Sequence, residues 1–192
     1  MIISQPLEYV FVSNPKTGTH SLYQLLQSEF YGTQLEGRYH ENRVPDHLQD
    51  HFCFTTCRHP ISRFVSAFNV LTRDKSYKDI FLDHAGGDDF LSFARWASTL
   101  DNRSELIGKG FAVLTLQSAW LKDVKIDQFV RIEQANEDFE RLPFVNHSVE
   151  VPKLLARKHE TWDDLRCEES EALLREWLAP EFDFLPYEFD SV

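Results

Sequence analysis

The chain has 192 residues, 42% hydrophobic and 14% aromatic, with a formal net charge of −11 from 20 basic and 31 acidic side chains. That apolar share supports a packed core and excludes disorder throughout, and the length suits one domain, residues 1–192, built on a sheet covered on both faces. The acidic balance repels polyanions, which argues against nucleic acid as a partner and, more weakly, against a highly sulfated polysaccharide.

The first strand is read over 8–13, where Tyr9-Val10-Phe11-Val12 forms an apolar, β-branched and aromatic run that stops at Asn14-Pro15. Lys16-Thr17-Gly18-Thr19-His20-Ser21 then opens an amphipathic helix from Thr19 to Phe30, with Leu22, Leu25, Leu26 and Phe30 inward. A strand feeding a short Gly-containing turn and a helix N-terminus gathers backbone N–H groups and positive dipole, which suits a phosphate or sulfate. Lys16 adds a mobile point charge, and Thr17, Thr19 and Ser21 add hydroxyl donors. The loop differs from that of nucleotide triphosphatases, G-x-x-x-x-G-K-[ST], because Lys16 precedes Gly18 and no second glycine lies upstream in the loop. An ordinary strand-to-helix turn is the plainer reading of these residues taken alone.

A short strand is expected near Thr33–Glu36, followed by a polar stretch over 37–50 that contains His40, Glu41 and His47. The next strand, 52–57, ends at Arg58, and open α/β sheets bind ligands at the C-terminal ends of their strands. Pro60 suits the first turn of a helix over 61–72, whose apolar positions Ile61, Phe64, Val65 and Phe68 keep helical spacing; Ser66 lies two turns on. Residues 73–89, with Gly86-Gly87, read as a charged surface excursion. Helical patterns resume at 90–100 and around 114–121, a strand follows over 126–132 and a helix over 133–142. Residues 143–160 read as irregular, and a last helix over 168–178 ends at Pro180. Alternating strands and helices imply an α/β fold with a largely parallel central sheet flanked by helices.

Lys-Thr-Gly-Thr-His-Ser after one strand, then Arg-x-Pro-x-x-Arg-x-x-Ser after another, closely resembles the PAPS-dependent sulfotransferases, PAPS being 3′-phosphoadenosine 5′-phosphosulfate. The likeness is nearest to the carbohydrate-type branch, whose first motif usually reads P-K-[ST]-G-[GST]-[ST]-S; here His20 stands where a hydroxyl residue is usual. The resemblance extends weakly through residues 129–133, Asn146-His147-Ser148 and residues 184–189. It implies a P-loop-like three-layer sandwich in which Lys16, Thr17, Gly18, Thr19, His20 and Ser21 hold the 5′-phosphosulfate. Arg58 and Ser66 would hold the 3′-phosphate. The acceptor would be a hydroxyl on a carbohydrate or small molecule.

Sulfuryl transfer needs a held donor, a stabilised leaving group and a base. Lys16 is the only cation in the loop, so it is expected to meet charge on the leaving oxygen, and no metal is required. His40 is the candidate base, lying in a polar loop between the two motifs, where the resembling branch also carries a histidine; a solvated loop histidine is the alternative. Glu41 and His20 are the other candidates for the base. Arg63 either reaches the 3′-phosphate or, as favoured here, pairs with a surface acid. Arg157 and Lys158 either close over the nucleotide or form a solvated charge pair. His47 and His51, four residues apart, read only weakly as a zinc site.

Cys53 and Cys57 would sit about 13 Å apart on one strand face, too far for a disulfide, so all three cysteines are read as reduced. No apolar run approaches the length of a membrane span, and the first strand begins too near Met1 to leave room for a signal peptide. The expected location is therefore cytosolic, without a membrane partner. Two other readings are a kinase-like phosphotransferase, which lacks recognisable Mg²⁺ carboxylates and a lysine after glycine, and a nucleotide-binding module without catalysis.

Overall fold

A computed structural model of the chain describes residues 1–35, 40–73, 84–100, 112–154 and 160–192. Among them the strands are β1 (Ile2–Ser4), β2 (Tyr9–Val12), β3 (Thr33–Gln34), β4 (Phe52–Cys57) and β5 (Gln128–Arg131). The α-helices are α1 (Thr19–Glu29), α2 (Pro60–Arg73), α3 (Phe90–Ser98), α4 (Gln117–Leu121), α5 (Ala135–Glu140), α6 (Trp162–Leu165), α7 (Glu168–Trp177) and α8 (Ala179–Phe184). None of the described helices is long and apolar enough to cross a membrane. The chain divides into two compact units, Met1–Arg58 with Trp120–Ala156, and His59–Ala119 with Arg157–Val192.

The first unit carries a five-stranded sheet in the order β3-β1-β2-β4-β5. Strands β2, β4 and β5 run parallel, β1 pairs antiparallel with β2, and β3 antiparallel with β1, so only β1 opposes the common direction. The sheet is thus mostly parallel, as the alternation of elements implies. β2 is buried at all four positions, as befits a central strand with neighbours on both edges. Leu22, Leu25 and Leu26 of α1 bury their face against the Tyr9, Phe11 and Phe54 side chains, and Phe30, Phe139 and Phe144 extend this aromatic core. Each such side chain contributes about 1.5–3 kcal/mol on burial. Strand β1 is a feature the sequence reading lacks, a three-residue strand joined to β2 by the turn at Gln5–Glu8.

The second unit is helical among the described residues. Ile61, Phe64, Val65, Phe68 and Leu71 of α2 pack with Phe90 and Phe93 of α3, with Trp162 and with Leu174 of α7. Asp89 caps α3, its Oδ1 accepting the Ser92 N–H at 3.0 Å. The helix expected to stop before Pro180 does so, at Trp177, and Pro180 itself occupies the first turn of a further helix, α8, where a missing N–H costs nothing. The buried Glu181 beside it accepts the Ser118 N–H at 2.7 Å and the Gln117 amide at 3.1 Å. The short helix α6, also missing from the sequence reading, starts at a Thr161–Asp164 capping box.

All three cysteines are free, Cys53 and Cys57 buried and Cys167 exposed. Burial, then the Asp127 charge, pushes the Cys53 thiol up to about 12, whereas hydrogen bonds from Ser170 hold that of Cys167 below its usual range. A thiol reagent should therefore label the folded protein rapidly at Cys167 alone and reach the other two only on denaturation. Rapid labelling that survives Cys167→Ser would contradict this burial pattern.

Candidate functional site

In the first unit, β2 and β4 are parallel neighbours with Val12 opposite Thr55. The segment after Val12 and the residue after Cys57, Arg58, therefore leave the sheet at one edge, the C-terminal ends of the strands. β5 delivers Ile132 to the same edge, since Arg131 pairs with Cys57.

The loop between β2 and α1 is held in an unusual conformation. Lys16 (φ 67°) and Gly18 (φ 75°) are both left-handed, a state that for a non-glycine residue costs on the order of 1–3 kcal/mol. The surroundings enforce it. The hydroxyls of Thr17 and Thr19 both donate to the Asn14 carbonyl, at 2.8 and 2.9 Å, and Thr17 Oγ1 lies 2.6 Å from Thr56 Oγ1 on β4. Asn14 Nδ2 donates to the Thr56 carbonyl at 3.2 Å, so the loop is bolted to β4 by buried bonds. Thr17 and Thr19 were expected to offer their hydroxyls to an anion; here those protons shape the loop. Ser21 Oγ accepts the Leu154 N–H at 3.1 Å and ties the 150–154 segment to the start of α1.

Two left-handed residues flanking Thr17 turn successive N–H groups into a nest, and among the described residues neither Thr17 N–H nor Gly18 N–H makes a backbone bond. Thr19 and His20 follow in the first turn of α1, where N–H groups have no intrahelical acceptor. The half-buried Lys16 stands in this row. Glycine suits position 18 on two counts: its φ is left-handed, and a Cβ there would press on the Ile132 side chain. Gly18→Ala should cost about 1–3 kcal/mol in stability, read as a lower denaturant midpoint at unchanged slope. An unchanged midpoint would contradict this geometry.

His40 is brought to the root of the loop. Its Nδ1 lies 3.0 Å from Ser13 Oγ, and Ser13 is fully buried at the end of β2. Trp120 secures the same corner, donating Nε1–H to the Ser13 carbonyl at 3.2 Å while its own carbonyl accepts the Asn42 amide at 2.7 Å. Glu41 is committed differently, since its Oε1 accepts the N–H groups of Asn42 and Arg43 at 3.2 and 3.3 Å and closes a local turn. His20 is exposed and lines an open groove along α1 with Tyr23, Gln24, Gln27 and Leu154.

Arg58 is half-buried immediately beyond β4. Ser66 is buried on α2 within the second unit, beside Arg63 on the same helix. Arg63 is not the surface ion pair the sequence reading favours: it is buried and donates to the Thr115 carbonyl at 2.8 Å. Arg131 is engaged by Asp138 through Nε and Nη2, at 2.7 and 2.8 Å. Burial pushes the Asp138 carboxyl up, but hydrogen bonds and charge from Arg131, with Arg141, outweigh it and hold the group below the usual range. Arg157 and Lys158 lie outside the described residues. Ser148 donates to Glu140 at 2.6 Å, which anchors the late Asn146–Ser148 motif to α5. Among the described residues no cluster of three or more His, Cys, Asp or Glu side chains could hold a metal; His47 lies in a short 3₁₀ turn, Asp46–Leu48.

Ser13, Asn14, Tyr23, Thr56, Trp120 and Ile132 are the site residues that sequence reasoning missed. Only Asn14 and Ser13 carried a signal, by adjoining the loop. The sequence model described as the sulfotransferase family matches residues 11–142, a span that takes in the loop, His40, Arg58 and β5. Comparisons with curated proteins and with solved structures found no match.

Proposed function

The chain belongs to the sulfotransferase family, whose reaction is sulfuryl transfer, and on that premise we propose that it transfers the sulfuryl group of PAPS to a hydroxyl of a carbohydrate or small-molecule acceptor. The observation that carries this reading is the left-handed loop leading into α1, with the Thr17 and Gly18 N–H groups and Lys16, together with Arg58 just beyond the neighbouring strand β4. A nest of N–H groups at a helix N-terminus favours a compact, multiply charged oxyanion group, and a guanidinium one strand away favours a second.

PAPS, when bound, would supply the activated sulfuryl group and a good leaving group. Residues 16–21 would hold its 5′ end, chiefly through backbone N–H groups. Lys16 would place its ammonium at the oxygen on which charge develops, the largest electrostatic contribution the loop can make, and the chemistry then asks for no metal. His40 would take the proton of the acceptor hydroxyl. Arg58 would pair with the 3′-phosphate. The part of Ser66 in nucleotide binding is proposed from the motif alone. We read residues 1–192 as one sulfotransferase domain on a P-loop-like scaffold, working in the cytosol; the free cysteines support that compartment.

Arg58→Ala should weaken binding of adenosine 3′,5′-bisphosphate by about 2–3 kcal/mol, the scale of a charged hydrogen bond, with much less effect on adenosine 5′-phosphate. Equal losses for the two nucleotides would remove Arg58 from the 3′ position. Calorimetry on the unmodified chain tests the reading itself. Tight binding of the bisphosphate without Mg²⁺ supports it, and a Mg²⁺-dependent preference for ATP sinks it.

A further inference from the structure

The groove along α1 is neutral in a strongly charged chain. His20, Gln24, Gln27 and Ser28 of α1 and Gln34 of β3 line it, and its volume is about 600 Å³. Charged residues make up 27% of the sequence, yet none of the described side chains lining the groove is an acid, a lysine or an arginine. Gln24, Gln27 and Gln34 are exposed, and among the described residues their amides make no side-chain hydrogen bond. Just past α1, in the turn that leads to β3, stands Tyr31. Its side chain is 70% exposed and its φ is 54°, a left-handed value that strains an aromatic residue. Glycine is the usual occupant of this position after a helix. A strained, exposed aromatic therefore lies between Ser28 and Gln34 in the chain, toward the end of α1 far from His20.

We infer that this groove is the acceptor subsite for a neutral oligosaccharide, with Gln24, Gln27 and Gln34 bonding its hydroxyls and Tyr31 stacking on a ring. The inference rests on the proposed sulfuryl transfer and narrows its acceptor from any hydroxyl compound to an uncharged carbohydrate chain. Each primary amide offers two N–H donors and a carbonyl acceptor, and a sugar hydroxyl both donates and accepts. A row of amides therefore matches a row of hydroxyls. An anion would meet no lysine or arginine in the groove, and the chain's net charge of −11 opposes its approach. An apolar ligand would leave the amides unbonded. A peptide would need a strand edge to pair with, and β3 offers only two residues. The Tyr31 ring presents a flat apolar face with a polar tip, which suits the C–H face of a sugar. His20 begins the groove and also belongs to the first turn of α1, whose N–H groups would hold the 5′ end of PAPS. From His20 to Ser28 the helix rises about 12 Å, a span that suits linked rings rather than a single one. One end of the chain would then lie at the sulfuryl group while the rest runs along α1.

The test is NMR of the full chain with ¹⁵N-labelled glutamine side-chain amides. The titrants are neutral oligosaccharides of glucose, galactose, mannose, xylose and N-acetylglucosamine, the corresponding monosaccharides, a heparin tetrasaccharide and a Gly-Ser peptide. At least one neutral oligosaccharide should shift the amide signals of Gln24, Gln27 and Gln34 and bind about tenfold or more tighter than its monosaccharide. Tyr31→Ala, and Gln24→Ala combined with Gln27→Ala, should each weaken that binding about 5–20-fold and leave the affinity for adenosine 3′,5′-bisphosphate unchanged. Tyr31→Gly should lose the same affinity yet be at least as resistant to denaturant as the wild type, because glycine accepts the left-handed backbone. The oligosaccharide that binds should also take ³⁵S from labelled PAPS. Amide signals that no neutral oligosaccharide moves, or that heparin or the peptide moves equally well, overturn the inference. So does a Tyr31→Ala variant that binds like the wild type, or binding in the groove without labelling. The NMR reading does not depend on turnover: a chain that binds an oligosaccharide but no bisphosphate would overturn the proposed function, and one that binds the bisphosphate but no oligosaccharide would overturn this inference alone.

Discussion

His40→Ala is expected to lower kcat by about 10²–10⁴ while leaving the affinity for adenosine 3′,5′-bisphosphate unchanged. The reason is positional: the imidazole is tied to Ser13 at the end of β2, at the strand edge from which the loop leaves, yet it is no part of the row of N–H groups that would hold an anion. The limb of the rate–pH profile that reports the base should vanish in the variant, and His40→Gln should not restore the rate, because an amide has no basic nitrogen. Glu41→Gln should cost less than about tenfold, since the Glu41 carboxylate serves a local turn through Oε1. Full activity in His40→Ala together with a dead Glu41→Gln would transfer the role to the carboxylate.

Lys16→Ala should lower kcat by roughly 10²–10³ with a smaller loss of nucleotide affinity. On the proposed reading the loop's N–H groups would supply most of the ground-state grip, whereas an ammonium is worth most where new charge appears. The left-handed φ of Lys16 also predicts that Lys16→Gly keeps the loop's shape and yet loses the same factor in kcat. A Lys16→Gly enzyme turning over at the wild-type rate would assign the residue to loop geometry rather than to chemistry.

The legible parts of the fold are those in which local pattern and final environment agree. Strand β4 is buried over five of its six residues, so its apolar run could be read directly, and its bounds match. The start of α1 was legible because Gly18 and the leucine spacing both mark it. Strand β1 was not, because three residues give no periodicity and the strand exists by pairing with β2 and β3. Pro180 marked the end of α7 but not the start of α8, because a proline serves equally to stop one helix and to open the next.

In the site, the motif residues could be read from the order strand, turn, helix. Their supports could not, because they come from far along the chain: Thr56 is 39 residues from Thr17, and Trp120 is 107 from Ser13. Threonine hydroxyls next to a glycine turn read as ligand donors, and only the fold shows that the Asn14 carbonyl takes those of Thr17 and Thr19. Arg63 misled in the same way. A charged residue on a helix reads as solvent-facing until a buried carbonyl, here that of Thr115, turns out to be its partner.

The most direct test of the account follows ³⁵S from labelled PAPS into a panel of sugars and small hydroxyl compounds in the presence of the unmodified protein, without added metal. The account predicts that label moves to at least one acceptor with equimolar release of adenosine 3′,5′-bisphosphate, and that Lys16→Ala and His40→Ala each suppress the transfer. Release of the bisphosphate without acceptor labelling, or ³²P transfer from ATP in the same panel, would contradict it.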